Sequence, residues 1–153
     1  MDNDFNELEQ AAWGGLLGVH GRMTRRIDAD LLTHSGLSHV EFEALLRLSW
    51  ADQHRLRIQD LAARSVLTRS GISRVVERLE KGGWLTRTGA KEDGRGAYAV
   101  LTAAGQTRLR AALKRHVAFV RQLFLSVFSD SELKEIAAYW ERVEARLAET
   151  TEK

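Results

Sequence analysis

The run Thr68-Arg-Ser-Gly-Ile-Ser-Arg-Val-Val-Glu-Arg-Leu-Glu-Lys81 holds the densest set of side chains able to do chemistry. Laid out at about 100° per residue, Ile72, Val75, Val76 and Leu79 form one apolar stripe. Ser70, Arg74, Glu77 and Lys81 fall opposite it, with Ser73 and Arg78 beside them. Every side chain on that outward face donates or accepts hydrogen bonds. A guanidinium at position 74 is a planar fork that matches guanine O6 and N7. Arg69 and Ser70 occupy the first turn, where unpaired N–H groups and the positive end of the helix dipole favour phosphate. Gly71 leaves room for a close approach. The chemistry on offer is recognition of base edges and phosphates in duplex grooves. A plain solvated face, with Arg74–Glu77 and Glu77–Lys81 pairs, would use the same residues; the neighbouring elements argue against it.

Those neighbours must hold the polar face outward. Thr68 is placed to cap the helix, which ends at Gly82-Gly83, where a left-handed residue closes a helix at little cost. Before it, Gln59 to Ser65 reads as a two-turn helix burying Leu61 and Ala62, joined through a tight Val66-Leu67 turn. Ser38-His-Val-Glu41 is a capping box that starts a further helix, with Phe42, Leu45, Leu46 and Trp50 or its neighbours inward and an end near Asp52-Gln-His. A short apolar-polar stretch, Leu56-Arg-Ile58, connects these two helices. After the glycines, Trp84–Thr88 and Ala97–Leu101 are β-prone runs flanking the polar, glycine-rich segment 89–96, a hairpin pattern. Lys91 and Arg95 fall at the tip of this wing, where an extended arginine can enter a narrow minor groove, and Asp93 can brace Arg95. Arg87, on the first strand, completes the DNA-contacting candidates.

Long amphipathic segments frame this lobe. Leu16, Val19, Met23, Ile27 and Leu31 recur at helical spacing within about 5–32. Gly14, Gly15, Gly18 and Gly21 within it imply an irregular start or a closely packed second backbone. Thr102 caps a helix expected to run to about 128, and Ser129-Asp-Ser-Glu132 opens the last, in which Leu133, Ile136, Trp140, Val143 and Leu147 keep a heptad rhythm that wants a partner helix. Phe5, Leu8, Phe119, Leu123, Phe124, Phe128, Tyr139, Trp140, Val143 and Leu147 present more apolar surface than one thin helical layer hides, so a second copy of the chain is expected to cover them. The fold class that follows is mainly α with a small β-hairpin wing: a winged helix-turn-helix with N- and C-terminal dimerisation helices. A single domain, 1–153, is expected, with dimerisation helices at 5–34 and 103–149 and the DNA-binding lobe at 38–102.

Charge follows the same division. Residues 1–54 carry four Lys/Arg against nine Asp/Glu, residues 55–115 fourteen against five, and residues 116–153 five against seven. A basic middle between acidic ends suits a polyanion partner, since phosphate neutralisation supplies most non-specific nucleic-acid affinity. The chain has no cysteine, which removes disulfides, thiolate metal sites and thiol redox sensing, and no proline, which suits unkinked helices. No stretch approaches the roughly 18 apolar residues of a membrane span, and the start, Met1-Asp-Asn-Asp-Phe-Asn-Glu, is acidic. A cytoplasmic protein without membrane partners is expected. No hydrolase, dinucleotide or nucleophile motif occurs, so no enzyme is expected. A helical protein-interaction module is the other rival; it would lack salt-dependent duplex binding.

Taken together, Leu61-Ala62, Leu67 through Leu85, Glu92-Asp-Gly-Arg95 and Val100-Leu-Thr-Ala-Ala-Gly105 resemble the MarR family of bacterial regulators. The resemblance implies an obligate dimer on a pseudo-palindromic operator, often a repressor relieved by a small ligand. By position, Thr68 to Arg74 would be the recognition turn and Asp93 with Arg95 the wing's Asp-x-Arg pair. Arg57 departs from the pattern, standing where the family commonly has a capping hydroxyl, and Gly94-Arg-Gly96 makes a more flexible wing. The family's usual pocket would be walled by Trp13, His20, Phe42, Leu46 and Trp50, with Arg22 or Arg26 facing an aromatic anion. No cofactor is expected; His39 and Glu43, one turn apart, could meet His116 only through folding.

Overall fold

Asn6 opens the first helix reciprocally: its side chain accepts the Glu9 N–H at 2.9 Å, and the Glu9 carboxylate accepts the Asn6 N–H at 2.9 Å. The structure is a computed structural model, and it describes residues 4–63, 68–89 and 97–151, apart from the side chains of Arg69, Thr150 and Thr151. In chain order the elements are α1 (Glu7–Ser35), α2 (His39–Trp50), a 3₁₀ turn (Asp52–His54), β1 (Arg55–Arg57), α3 (Ile58–Ala63), α4 (Arg69–Lys81), β2 (Leu85–Thr88), β3 (Tyr98–Leu101), α5 (Ala103–Leu123), a second 3₁₀ turn (Leu125–Val127) and α6 (Asp130–Thr151). They divide into two compact units, one up to His116 and one from Val117 onward.

The first unit holds the core. Leu37, Leu45, Leu48, Leu61, Val76, Leu79 and Leu85 are wholly buried, joined by Leu31, Phe42, Ile72, Leu101, Leu109 and Ala112. Helices α1 to α5 and the sheet thus all contribute apolar side chains to one cluster. The predicted Ser38 capping box forms, with the Ser38 N–H and hydroxyl donating to Glu41 Oε2 at 2.8 Å each. The His39 N–H donates to Asp28 Oδ1 at 2.7 Å, fixing the α1–α2 corner. Farther along α1, Asp30 receives the Arg115 guanidinium of α5, with Nε 3.0 Å from Oδ2.

The sheet differs from the predicted hairpin. It has three antiparallel strands in the order β1-β3-β2, with Leu56 opposite Ala99 and Leu85 opposite Leu101. The extra strand is Arg55–Arg57, too short for a period-2 pattern to declare itself. Of Trp50 or its neighbours, it is Leu48 that turns inward, whereas Trp50 is 74% exposed. At about 100° per residue it lies half a turn of the helix from Glu41, around which the buried face of α2 is centred. In α1, Leu31 is buried and Ile27 partly so, whereas Leu16 and Val19 are exposed, so only the C-terminal part of the predicted stripe packs within the chain. The helix is regular from Glu7 despite its glycines, and the space beside Gly14 and Gly15 is open.

In the second unit, α5 stops at Leu123 rather than near 128. Phe124 leaves the helical region (φ −131°, ψ −56°), and its ring meets Phe128 edge to face with centroids 5.1 Å apart. The two rings flank the 3₁₀ turn, in which Val127 is exposed. The second capping box forms as predicted: the Ser129 N–H and hydroxyl donate to Glu132 at 2.8 Å each, and α6 follows.

Candidate nucleic-acid interface

The polar face of α4 is held by what lies behind it. Thr68 Oγ1 accepts the Gly71 N–H at 3.2 Å and lies 3.1 Å from the Ser70 hydroxyl, which sets the first turn. Ile72, Val75, Val76 and Leu79 are buried, while Ser70, Ser73, Arg74, Glu77, Arg78 and Lys81 are exposed, the division that the 100° layout predicts. Burying four aliphatic side chains at one stripe, each contributing about 1.5–3 kcal/mol, leaves the helix no freedom to roll its polar face inward.

The cations on this face are not equivalent. Lys81 Nζ pairs with Glu77 Oε1 at 2.9 Å, and Arg78 Nε with the buried Glu41 at 2.8 Å. On β2, Arg87 donates from Nε to Glu80 Oε2 at 2.7 Å and from its backbone N–H to Oε1 at 3.2 Å. The Arg87 guanidinium hydrogen bond holds the Glu80 carboxyl below the usual range, and the Lys81 hydrogen bond does the same for Glu77. Arg74 makes no ion pair among the described residues; the sequence had offered Glu77 as a partner, and Lys81 takes it. Arg69 sits in the first turn of α4. Its side chain lies outside the described residues, as do Lys91, Asp93 and Arg95 of the wing.

One cationic group was missed in the sequence. Arg55 and Arg57 of β1 lie over the Tyr98 ring, 4.3 and 5.4 Å from its centroid, and Arg57 Nε donates to the phenol at 3.1 Å. The Arg57 hydrogen bond, then that of Arg55, lowers the phenol's pKa. The alternation Arg-Leu-Arg was the available signal, but it reads as a strand only once β3 is known to lie beside it.

Helices α3 and α4 followed by the antiparallel strands β2 and β3 have known counterparts. A family model described as the MarR family matches residues 35–96. A helix-turn-helix transcriptional regulator of Bacillus cereus is 30% identical over 111 residues, 72% of either chain. The chain belongs to the MarR family. Among solved structures, the MarR-family regulator Sco3205 of Streptomyces coelicolor, crystallised in complex with DNA, superposes with a TM-score of 0.85 at 30% identity, over 94% of this chain and 90% of that one. AbsC, from the same organism, gives 0.85 at 29% identity over 95% and 98%. The repressor YetL of Bacillus subtilis is 33% identical over 97 residues, 63% of this chain and 58% of its own.

In this MarR-family chain the candidate ligand-pocket residues differ in exposure. Phe42 is 1% exposed and meets His116 at a tilt of 42° with centroids 4.7 Å apart, whereas Trp13, His20 and Arg22 are exposed on α1 and Leu46 is half-buried. Trp13 lines a groove with Phe5, Glu9, Ala12 and Leu16 instead. Burial, then the nearby His39, lowers the His116 pKa. Among the described residues no three His, Asp or Glu side chains converge on a possible metal position. Of the candidate dimer residues, Phe5, Leu8, Tyr139, Trp140, Val143 and Leu147 are exposed, and Phe119, Leu123, Phe124 and Phe128 are half-buried. No helix among the described residues is long and apolar enough to cross a membrane.

Proposed function

We propose that this MarR-family protein binds duplex DNA sequence-specifically as a homodimer at a pseudo-palindromic operator. It represses transcription in the cytoplasm by occupying that site and is released by a small aromatic or anionic ligand. The observation that carries the reading is the outer face of α4. Arg74 has no ionic partner among the described residues, on a helix whose apolar back is locked in the core. A guanidinium in that state is available to fork onto guanine, while Thr68, Ser70 and Gly71 bring the helix N-terminus close to the duplex. The dimer is supported by the exposed apolar side chains at the two ends of the chain, Phe5 and Leu8 on one side and Trp140, Val143 and Leu147 on the other. Two recognition helices related by a two-fold axis would meet successive major grooves. The accessibility of Trp13 and His20, two turns apart on one face of α1, supports effector binding there: an indole to stack on and a ring nitrogen to hydrogen-bond.

The test is fluorescence anisotropy on labelled duplexes across a salt series, followed by footprinting upstream of the protein's own gene. Affinity should fall linearly on a log–log salt plot, and two protected half-sites should lie about one helical turn, ~10 base pairs, apart. Failure to bind duplex even in dilute salt, or protection without a discrete site, would remove the proposal.

A further inference from the structure

We propose that Glu41, buried at the start of α2, is a positioning residue that aims Arg78 of α4 at a backbone phosphate beside the groove; the idea rests on the DNA-binding reading above. Glu41 is 3% exposed, an uncommon place for a carboxylate, and both its oxygens are engaged. Oε2 accepts the Ser38 N–H and hydroxyl at 2.8 Å each, and Oε1 lies 2.8 Å from Arg78 Nε. The carboxylate is therefore fixed to the N-terminus of α2 and cannot follow a moving partner. Arg78 is the opposite case, with 66% of its side chain exposed.

A pair that served only to tie α2 to α4 would be expected to bury the cation as well, with its donors satisfied inside the protein. Here the acid is buried and the cation stays out. Of the five N–H donors of a guanidinium, the one on Nε faces Glu41, which leaves the Nη groups for an outside acceptor. Arg74 and Arg78 are one turn apart on α4, so an Arg74 seated on base edges brings Arg78 toward the flanking backbone. A free arginine loses rotamer freedom when it grips a phosphate, whereas one anchored through Nε has lost much of it on folding. Opposing this, the Glu41 charge cancels part of the attraction between Arg78 and phosphate. The two effects give opposite signs on removing the charge, which makes the proposal decidable.

Glu41→Gln keeps the shape and one oxygen for Ser38 but removes the charge facing Arg78. Binding would be measured by anisotropy on an arbitrary duplex of about 30 base pairs, three helical turns, and on the footprinted site. Wild type, Glu41→Gln, Arg78→Lys and the double variant would be compared at equal helicity by circular dichroism. The proposal expects roughly three- to tenfold weaker binding for each single variant, equally on both duplexes because phosphate contacts carry no sequence, and no further loss in the double variant. Glu41→Gln binding as tightly as wild type or more tightly overturns it, as does multiplication of the two losses. Should Glu41→Gln fail to fold, Arg78→Lys decides alone: wild-type affinity overturns the proposal. Wild-type protein that ignores duplex DNA sinks the DNA-binding reading first, whereas normal wild-type binding with an unaffected Glu41→Gln sinks only this inference.

Discussion

Replacing Gly105 by alanine isolates the joint that carries the wing. Gly105 lies in the first turn of α5, and a Cβ there would stand 2.0 Å from the Trp84 carbonyl oxygen, 2.9 Å from its carbon and 2.8 Å from Leu101 Cδ1. Helix propensity alone would favour alanine by about 1 kcal/mol. Restoring an ordinary contact of 3.4 Å to that oxygen, however, requires the backbones to part by about 1.4 Å. The same carbonyl accepts the Thr102 N–H at 3.1 Å, and the Thr102 hydroxyl donates to Gly83 O at 2.7 Å. Losing both bonds costs about 1–3 kcal/mol at ~0.5–1.5 each, and the overpacking about 1–3 more. Net of propensity, Gly105→Ala should destabilise by about 3 kcal/mol, a drop in melting temperature of roughly 6–12 °C for a chain of this size. Thermal scans by far-ultraviolet circular dichroism at fixed protein concentration measure it, with Ala104→Gly as control: that exposed neighbour should lose only the propensity of about 1 kcal/mol. A Gly105→Ala protein melting at or above wild type, or above Ala104→Gly, would refute the reasoning.

Arg74→Ala should cost about 1–3 kcal/mol at the footprinted site and little on arbitrary duplex, as loss of a bidentate base contact does; uniform weakening in anisotropy would count against base reading. Val143→Glu in α6 should shift sedimentation from dimer to monomer with helicity retained, because a charge would then stand in a desolvated apolar interface; an unchanged mass would exclude this face. Acid titration has a determined sign. Glu80 and Glu132 are held below the ordinary 4.5, chiefly by Arg87 and by the Ser129 N–H. Carboxyls of that kind add stability above their unfolded value and lose it as pH falls through the folded one. Melting temperature should fall from about pH 5 downward, less steeply in Glu80→Gln; identical slopes would remove Glu80 from the account.

How much of this was legible in the sequence depended on how local the cause was. Ser38-His-Val-Glu41 and Ser129-Asp-Ser-Glu132 cap their helices within four residues, and both boxes form where the spacing places them. The stripe of α4 is likewise fixed by its own periodicity. Features that need a distant partner were not legible. β1 becomes a strand only against β3, some forty residues later. The end of α5 at Leu123 is announced by no glycine or proline and goes with the Phe124–Phe128 contact. The pattern left open whether Trp50 or a neighbour faces inward, and the register of α2 decides it by turning Leu48 in and Trp50 out. Residue type likewise offers Trp13, His20 and Phe42 as pocket candidates without saying which helix faces they share.

Charge shows the same distinction most sharply. The excess of nine cations over residues 55–115 can be counted directly, and it marks where a polyanion would bind. Counting cannot say which cations are free. Lys81 is held by Glu77, Arg87 by Glu80, and Arg55 and Arg57 share Tyr98. These contacts arise from i,i+4 geometry, from β2 passing beside α4, and from strand pairing. Arg87 therefore contributes first as the brace between α4 and β2, and a phosphate approaching it would compete with a carboxylate already in place. Arg74 faces no such competitor among the described residues. If base reading belongs to one side chain of α4, the ion-pair map selects Arg74 over Lys81 although both lie on the outward face. Exchanging their environments tests this: Glu77→Gln, which frees Lys81, should raise affinity for arbitrary duplex and steepen its salt dependence without sharpening sequence preference. A gain confined to the operator would mean that Lys81, not Arg74, does the reading.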